Sequence, residues 1–87
     1  MQIREVSITH PYGLHARVAA RIVLAASRFK CRMQLIFNGR TADARNIIAV
    51  MLLAAGVGSA IRIETSGADE REAVEALSAL ISSRHVL

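Results

Sequence analysis

Polar and apolar positions alternate along Gln2–Thr9, with Val6 and Ile8 on one side and Glu5, Ser7 and Thr9 on the other, the pattern of a half-buried strand. His10–Leu14 interrupts the alternation with Pro11 and Gly13 and predicts a loop. From about Ala16 to Arg28 the period lengthens to that of a helix. Ala19, Ile22, Val23 and Ala26 share its core-facing stripe, and Arg17, Arg21 and Arg28 fall toward solvent. Alternation returns at Cys31–Phe37, which puts Met33, Leu35 and Phe37 on one face. Asn38-Gly39 then supplies the positive φ angles of a two-residue hairpin turn, and Arg40–Ala44 is a return strand polar enough for a sheet edge.

Asn46 predicts a cap for a short helix over roughly Ile47–Ala54. That helix is apolar nearly all round. Val50, Leu53 and Ala54 can face the core together, but Ile47, Ile48 and Met51 lie on another side of so short a helix. A fully buried helix is uncommon in a domain of this size, so the surplus predicts an exposed apolar patch that meets a partner. Gly56-Val57-Gly58 is a turn. Ser59–Thr65 alternates with Ile61 and Ile63 inward, and Ser66-Gly67-Ala68-Asp69 ends that strand, Asp69 being placed to cap a last helix. In that helix Glu70 and Glu72 suit the first turn, Ala73, Leu77, Leu80 and Ile81 form the buried stripe with Val74 alongside, and Arg84 lies near the C-terminal end.

The order β-α-β-β-α-β-α predicts an α+β fold. It is an open-faced β-sandwich in which a four-stranded antiparallel sheet carries three helices on one face, as a single domain over residues 1–87. The first and last strands each adjoin a helix and are expected side by side in the sheet centre.

Composition narrows the function classes. Of the 87 residues 53% are hydrophobic but only 3% aromatic, so the core is aliphatic and no stacking platform for nucleic-acid bases is provided. A lone cysteine, Cys31, leaves neither a disulfide framework nor a thiolate metal site. No apolar run reaches membrane-spanning length and no secretory signal layout is present, which predicts a cytoplasmic protein with no direct membrane insertion. The net charge of +4 is unevenly spread. Residues 1–46 carry eight Lys/Arg against Glu5 and Asp43, whereas residues 47–87 are net acidic. The first half therefore suits an acidic partner, unless it is simply a solvated basic face.

Of the three histidines, His10 has no charged neighbour in its loop and His85 sits in a terminal tail, and isolated histidines are most often structural. His15 stands at the start of a helix, where backbone N–H groups lack intrahelical partners and the dipole favours anions. A protonated imidazole there opposes the dipole by about 0.3–1 kcal/mol, and Arg17 adds to the opposition. A neutral imidazole with a nucleophilic ring nitrogen is the expectation. Once phosphorylated, the same group is favoured by the amides of Ala16 and Arg17, the dipole and the Arg17 guanidinium. No acidic or histidine cluster adjoins it to hold a metal, and an open loop suits a carrier better than a hydrolase.

Gly13-Leu14-His15-Ala16-Arg17, the Asn38-Gly39 hairpin, the apolar helix at Asn46–Leu53 and Ser66-Gly67-Ala68-Asp69-Glu70 together resemble the histidine-containing phosphocarrier protein (HPr) family of the bacterial phosphoenolpyruvate-dependent sugar phosphotransferase system, over essentially the whole length. The resemblance implies the fold argued above. It implies a carrier rather than an enzyme, without a cofactor, that takes a phosphoryl group on Nδ1 of His15 from enzyme I and passes it to the A component of an enzyme II. It makes Arg17 the phosphate-stabilising arginine. It assigns Ile47, Ile48 and Met51 to a shared docking surface, with Arg40 and Arg45 as basic positions near it, on a monomer.

Two positions depart from the family pattern. Val18 replaces the proline that normally follows the arginine, which frees one more N–H and is expected to loosen the first helical turn. Asn46 stands where many relatives have a regulatory serine, so kinase control by that route is not expected. Two other readings compete. A regulatory binding module of the same fold, in carbon or nitrogen control, would dock through Ile47, Ile48 and Met51 without obligatory phosphoryl transfer. A nucleic-acid binder would use the basic first half, but Tyr12, Phe29 and Phe37 are poor provision for stacking.

Overall fold

The computed structural model describes residues 1–82. Seven elements follow one another: β1 (Gln2–Ser7), α1 (Ala16–Ala26), β2 (Arg32–Phe37), β3 (Arg40–Asp43), α2 (Ile47–Leu52), β4 (Ala60–Ser66) and α3 (Glu70–Ser82). The predicted Arg84 and His85 placements lie outside the described residues. All four strands form one antiparallel sheet in the order β1-β4-β2-β3. β1 and β4 are neighbours as expected, but β1 is an edge strand, and the centre is held by β4 and β2. Both central strands alternate cleanly, burying Ile61, Ile63 and Thr65 on one and Met33 and Leu35 on the other. β1 is mostly exposed, the pattern of a strand with one neighbour.

One side of the sheet is covered. α3 lies across β1, β4 and β2, α2 rests on β3, and α1 packs between α2 and α3. Ala19, Ile22 and Ala26 of α1 enter the core as predicted, while Val23 is only half-buried. The Val18 side chain is 2% exposed and belongs to the core, so this position adds apolar burial to the first turn of α1.

Two helices end earlier than their hydrophobic periods. After Ala26 the amides of Arg28 and Phe29 bond back only three residues, to Ala25 and Ala26. The chain thus tightens into a 3₁₀-type turn rather than continuing α1 to Arg28. After Leu52 the amides of Leu53 and Ala54 do the same, and Ala54 enters the left-handed region at φ 55°. Ala54 is consequently exposed, whereas Val50 and Leu53 reach the core as predicted. Asn46 caps α2 through Oδ1, which accepts the Ala49 N–H at 3.1 Å.

The carboxylate expected to cap α3 does something else. Asp69 accepts the amides of Lys30 and Cys31, at 2.9 and 3.0 Å, and so ties the start of β2 to the start of α3, while its backbone carbonyl takes the Ala73 N–H. The Glu70 carboxylate accepts the Gly67 N–H and pairs with the N-terminal ammonium. Among the described residues no helix is long and apolar enough to cross a membrane.

Candidate functional site

The loop between β1 and α1 is fixed at three points. The Gly13 N–H bonds to the His10 carbonyl at 3.0 Å, closing a turn with Pro11 in its second position. The Leu14 N–H bonds to the Ala55 carbonyl at 3.0 Å, and the Leu14 side chain is buried. Gly13 has φ +66°, and a Cβ there would stand 2.5 Å from the Ala55 carbonyl oxygen. Only glycine lets the loop lie this close to the segment that leaves α2.

His15 is the N-cap of α1, in extended backbone conformation, with its carbonyl accepting the Ala19 N–H. The cap is made by the imidazole. Nδ1 accepts the Arg17 N–H at 3.3 Å, in a role usually taken by Ser, Thr, Asp or Asn. This bond requires an unprotonated Nδ1, so the ring proton of the neutral form sits on Nε2. Nε2 itself is buried and has no hydrogen-bond partner among the described residues. One ring nitrogen thus meets the helix start at the Arg17 amide, and the other is buried.

His15, Ala16 and Arg17 line a shallow depression together with His10 and Tyr12. The predicted trio is therefore brought together. His10 and Tyr12, to which sequence reasoning gave no role, complete its wall. The His10 and His15 rings are 4.7 Å apart between centroids, and Tyr12 meets His15 edge-on at 6.0 Å. One signal was available in the sequence: a histidine two residues ahead of the chain's single tyrosine, at the turn position that favours a side-chain acceptor.

The predicted apolar patch divides. Ile48 and Met51 are exposed, at 61% and 38%, whereas Ile47 is partly buried against the core. Leu52, not assigned to the patch, is 65% exposed and extends it. Arg40 lies at the end of α2, where its guanidinium donates to the Leu52 carbonyl at 3.2 Å. Arg45 points its guanidinium at the Phe29 carbonyl in the turn after α1. Cys31 is buried, and burial together with the Asp69 carboxylate beside it pushes its thiol up to about 11, which keeps it protonated and unreactive at neutral pH. No group of three or more metal-ligating side chains occurs among the described residues.

The chain matches known proteins over nearly its whole length. A family model described as "PTS HPr component phosphorylation site" matches residues 3–83. The phosphocarrier protein HPr of Cupriavidus necator is 46% identical over 81 residues, covering 93% of this chain and 91% of that protein. Among solved structures, the phosphocarrier protein HPr of Bacillus anthracis superposes with a TM-score of 0.88 at 40% identity, over 92% of this chain and 95% of that one. An HPr dimer from Thermoanaerobacter tengcongensis gives 0.73 at 33% identity, over 93% of each chain.

Proposed function

The chain belongs to the HPr family of the phosphotransferase system, and from that membership we propose that it carries a phosphoryl group on Nδ1 of His15, received from enzyme I and delivered to the A component of an enzyme II. One observation supports the assignment to this atom: Nδ1 accepts the Arg17 N–H at the helix start, whereas Nε2 is buried.

The chemistry follows from the cap. The Nδ1 lone pair that accepts the Arg17 N–H is the one that attacks phosphorus. As the Nδ1–P bond forms, the bond from phosphorus to the donor breaks, and the electron pair leaves with the donor. The Arg17 N–H loses its nitrogen acceptor and gains a phosphoryl oxygen in the same place, so the helix start stays capped. The Ala16 amide and the Arg17 guanidinium add charge-assisted donors to the dianion. The ring keeps its Nε2 proton, so the group that leaves on onward transfer is a neutral imidazole. In this role the protein is a covalent intermediate, not a catalyst, and it needs no cofactor.

Ile48 and Met51, with Ile47 beneath them, form the surface on which donor and acceptor dock in turn, and Arg40 and Arg45 supply basic groups to acidic partner faces. The protein works as a cytoplasmic monomer, which sedimentation at micromolar concentration checks. The direct test of the carrier role is incubation with phosphoenolpyruvate and enzyme I. The expected adduct is acid-labile, base-stable and lost in His15→Ala; an adduct that persists in that variant overturns the assignment.

A further inference from the structure

His10 is the one buried ionisable group of the loop that the transfer chemistry above leaves unused. It is only 8% exposed, in a turn whose two central residues, Pro11 and Tyr12, are exposed. Both of its acceptors are spent on that turn: the carbonyl takes the Gly13 N–H at 3.0 Å, and Nδ1 takes the Tyr12 N–H at 3.3 Å. The imidazole thereby does what an Asp or Asn side chain does at the first position of a turn, but with a ring. That ring bond and the burial of the residue together hold the His10 ring in place.

The fixed ring lies against the carrier histidine. The centroids of His10 and His15 are 4.7 Å apart with the planes tilted by 51°, well inside the range of a packed aromatic pair. Tyr12 closes the arrangement, 5.9 Å from His10 and 6.0 Å from His15. The His15 imidazole has a single hydrogen bond, from the Arg17 N–H, and its other nitrogen has no partner among the described residues. The bond is no shorter than the one that holds His10, and His15 is only half-buried, so its ring is the less enclosed of the two. What restricts its swing is packing, and His10 is the anchored member of the packing.

We propose that His10 is a positioning residue for phosphoryl transfer, its turn-anchored ring acting as the backstop that keeps Nδ1 of His15 facing the incoming phosphorus. This rests on His15 being the carrier. It assigns to the wall of the site a side chain that does not touch the phosphoryl group. Aligning a nucleophile accounts for rate rather than affinity, so its loss appears in kcat and not in KM.

Two substitutions separate the ring from the turn. His10→Asn keeps a side-chain acceptor for the Tyr12 N–H and removes the ring; His10→Phe keeps a ring and removes the acceptor. With phosphorylated enzyme I as donor, His10→Asn lowers kcat about fivefold, the scale of one aromatic pair, with KM unchanged. His10→Phe stays within about twofold of the parent protein. Relaxation of ¹³C in the His15 ring supplies a readout independent of transfer: the ring is as ordered as the backbone in the parent chain and in His10→Phe, and more mobile in His10→Asn. Unchanged ring order and rate in His10→Asn overturn the proposal. So do equal losses in both variants, which would make His10 a turn residue only. Should the parent chain accept no phosphoryl group, the carrier assignment fails, and the ring relaxation still decides whether His10 holds His15.

Discussion

A single missing side chain decides where His15 can be. Gly13 combines φ +66° with a backbone neighbour 2.5 Å from where its Cβ would stand, and that neighbour is a carbonyl, which cannot rotate aside as a flexible side chain can. Gly13→Ala is expected to destabilise the fold by about 2–4 kcal/mol, the sum of left-handed strain and overpacking. Because the same carbonyl accepts the Leu14 N–H, the shift passes directly to His15. Urea unfolding measures the first effect and the rate of phosphoryl acceptance the second; an alanine variant of parental stability would mean that the loop does not lie where it is described. At this scale much was legible. His15 and Arg17 were singled out by their place at a helix start. The burial and turn bond of His10 were not legible, because that bond runs from side chain to backbone inside an irregular turn, which hydrophobic period does not encode.

The elements were legible in kind and less so in extent. All seven occur in the predicted order, and the Asn38-Gly39 turn has the positive φ at both positions that its sequence favours, 52° and 77°. Helix ends were overestimated where apolar residues continue past the last α-helical bond, as at Leu53 and Ala54. The junction between β2 and α3 depended on a carboxylate whose partners lie nearly forty residues away, beyond the reach of any local pattern. The Lys30 amide bond, first among several, holds the Asp69 carboxyl below its ordinary 3.8. The N-terminal ammonium and the Gly67 N–H hold Glu70 below 4.5. Groups whose folded-state values are depressed bind protons more readily when unfolded, so their stabilisation is present above the ordinary carboxylate range and is lost as pH falls through the depressed values. Thermal midpoints recorded from pH 6 down to pH 2 should fall most steeply below about pH 4. Asp69→Asn should flatten that fall, and an unchanged slope would show that the carboxylate is not held by the two amides.

At the scale of the whole molecule, the helix-capping imidazole and the apolar patch sit on segments joined by the Leu14–Ala55 hydrogen bond. The fold class was readable from the alternation of strands and helices. The strand order was not fully so, because adjacency to a helix does not distinguish a central strand from an edge one. The patch was read correctly as surplus hydrophobicity on α2, yet its most exposed member is Leu52, since a six-residue helix turns that side chain outward just where the chain leaves the core. Ile48→Ser and Leu52→Ser are expected to leave stability within about 0.5 kcal/mol, as exposed positions do. Each should raise the KM for enzyme I about five- to tenfold with little change in kcat, the pattern of lost docking energy. A fall in kcat with KM unchanged would place these residues in the chemistry instead.

The central claim concerns one atom, and one spectrum tests it. The chain is labelled with ¹⁵N in its histidines and phosphorylated with enzyme I and phosphoenolpyruvate, and ³¹P–¹⁵N coupling then reports which nitrogen bears phosphorus. Coupling to Nδ1 of His15, with the Arg17 amide shifted as it takes up a phosphoryl oxygen, is the result the geometry predicts. Coupling to Nε2, or to either ring nitrogen of another histidine, would contradict it.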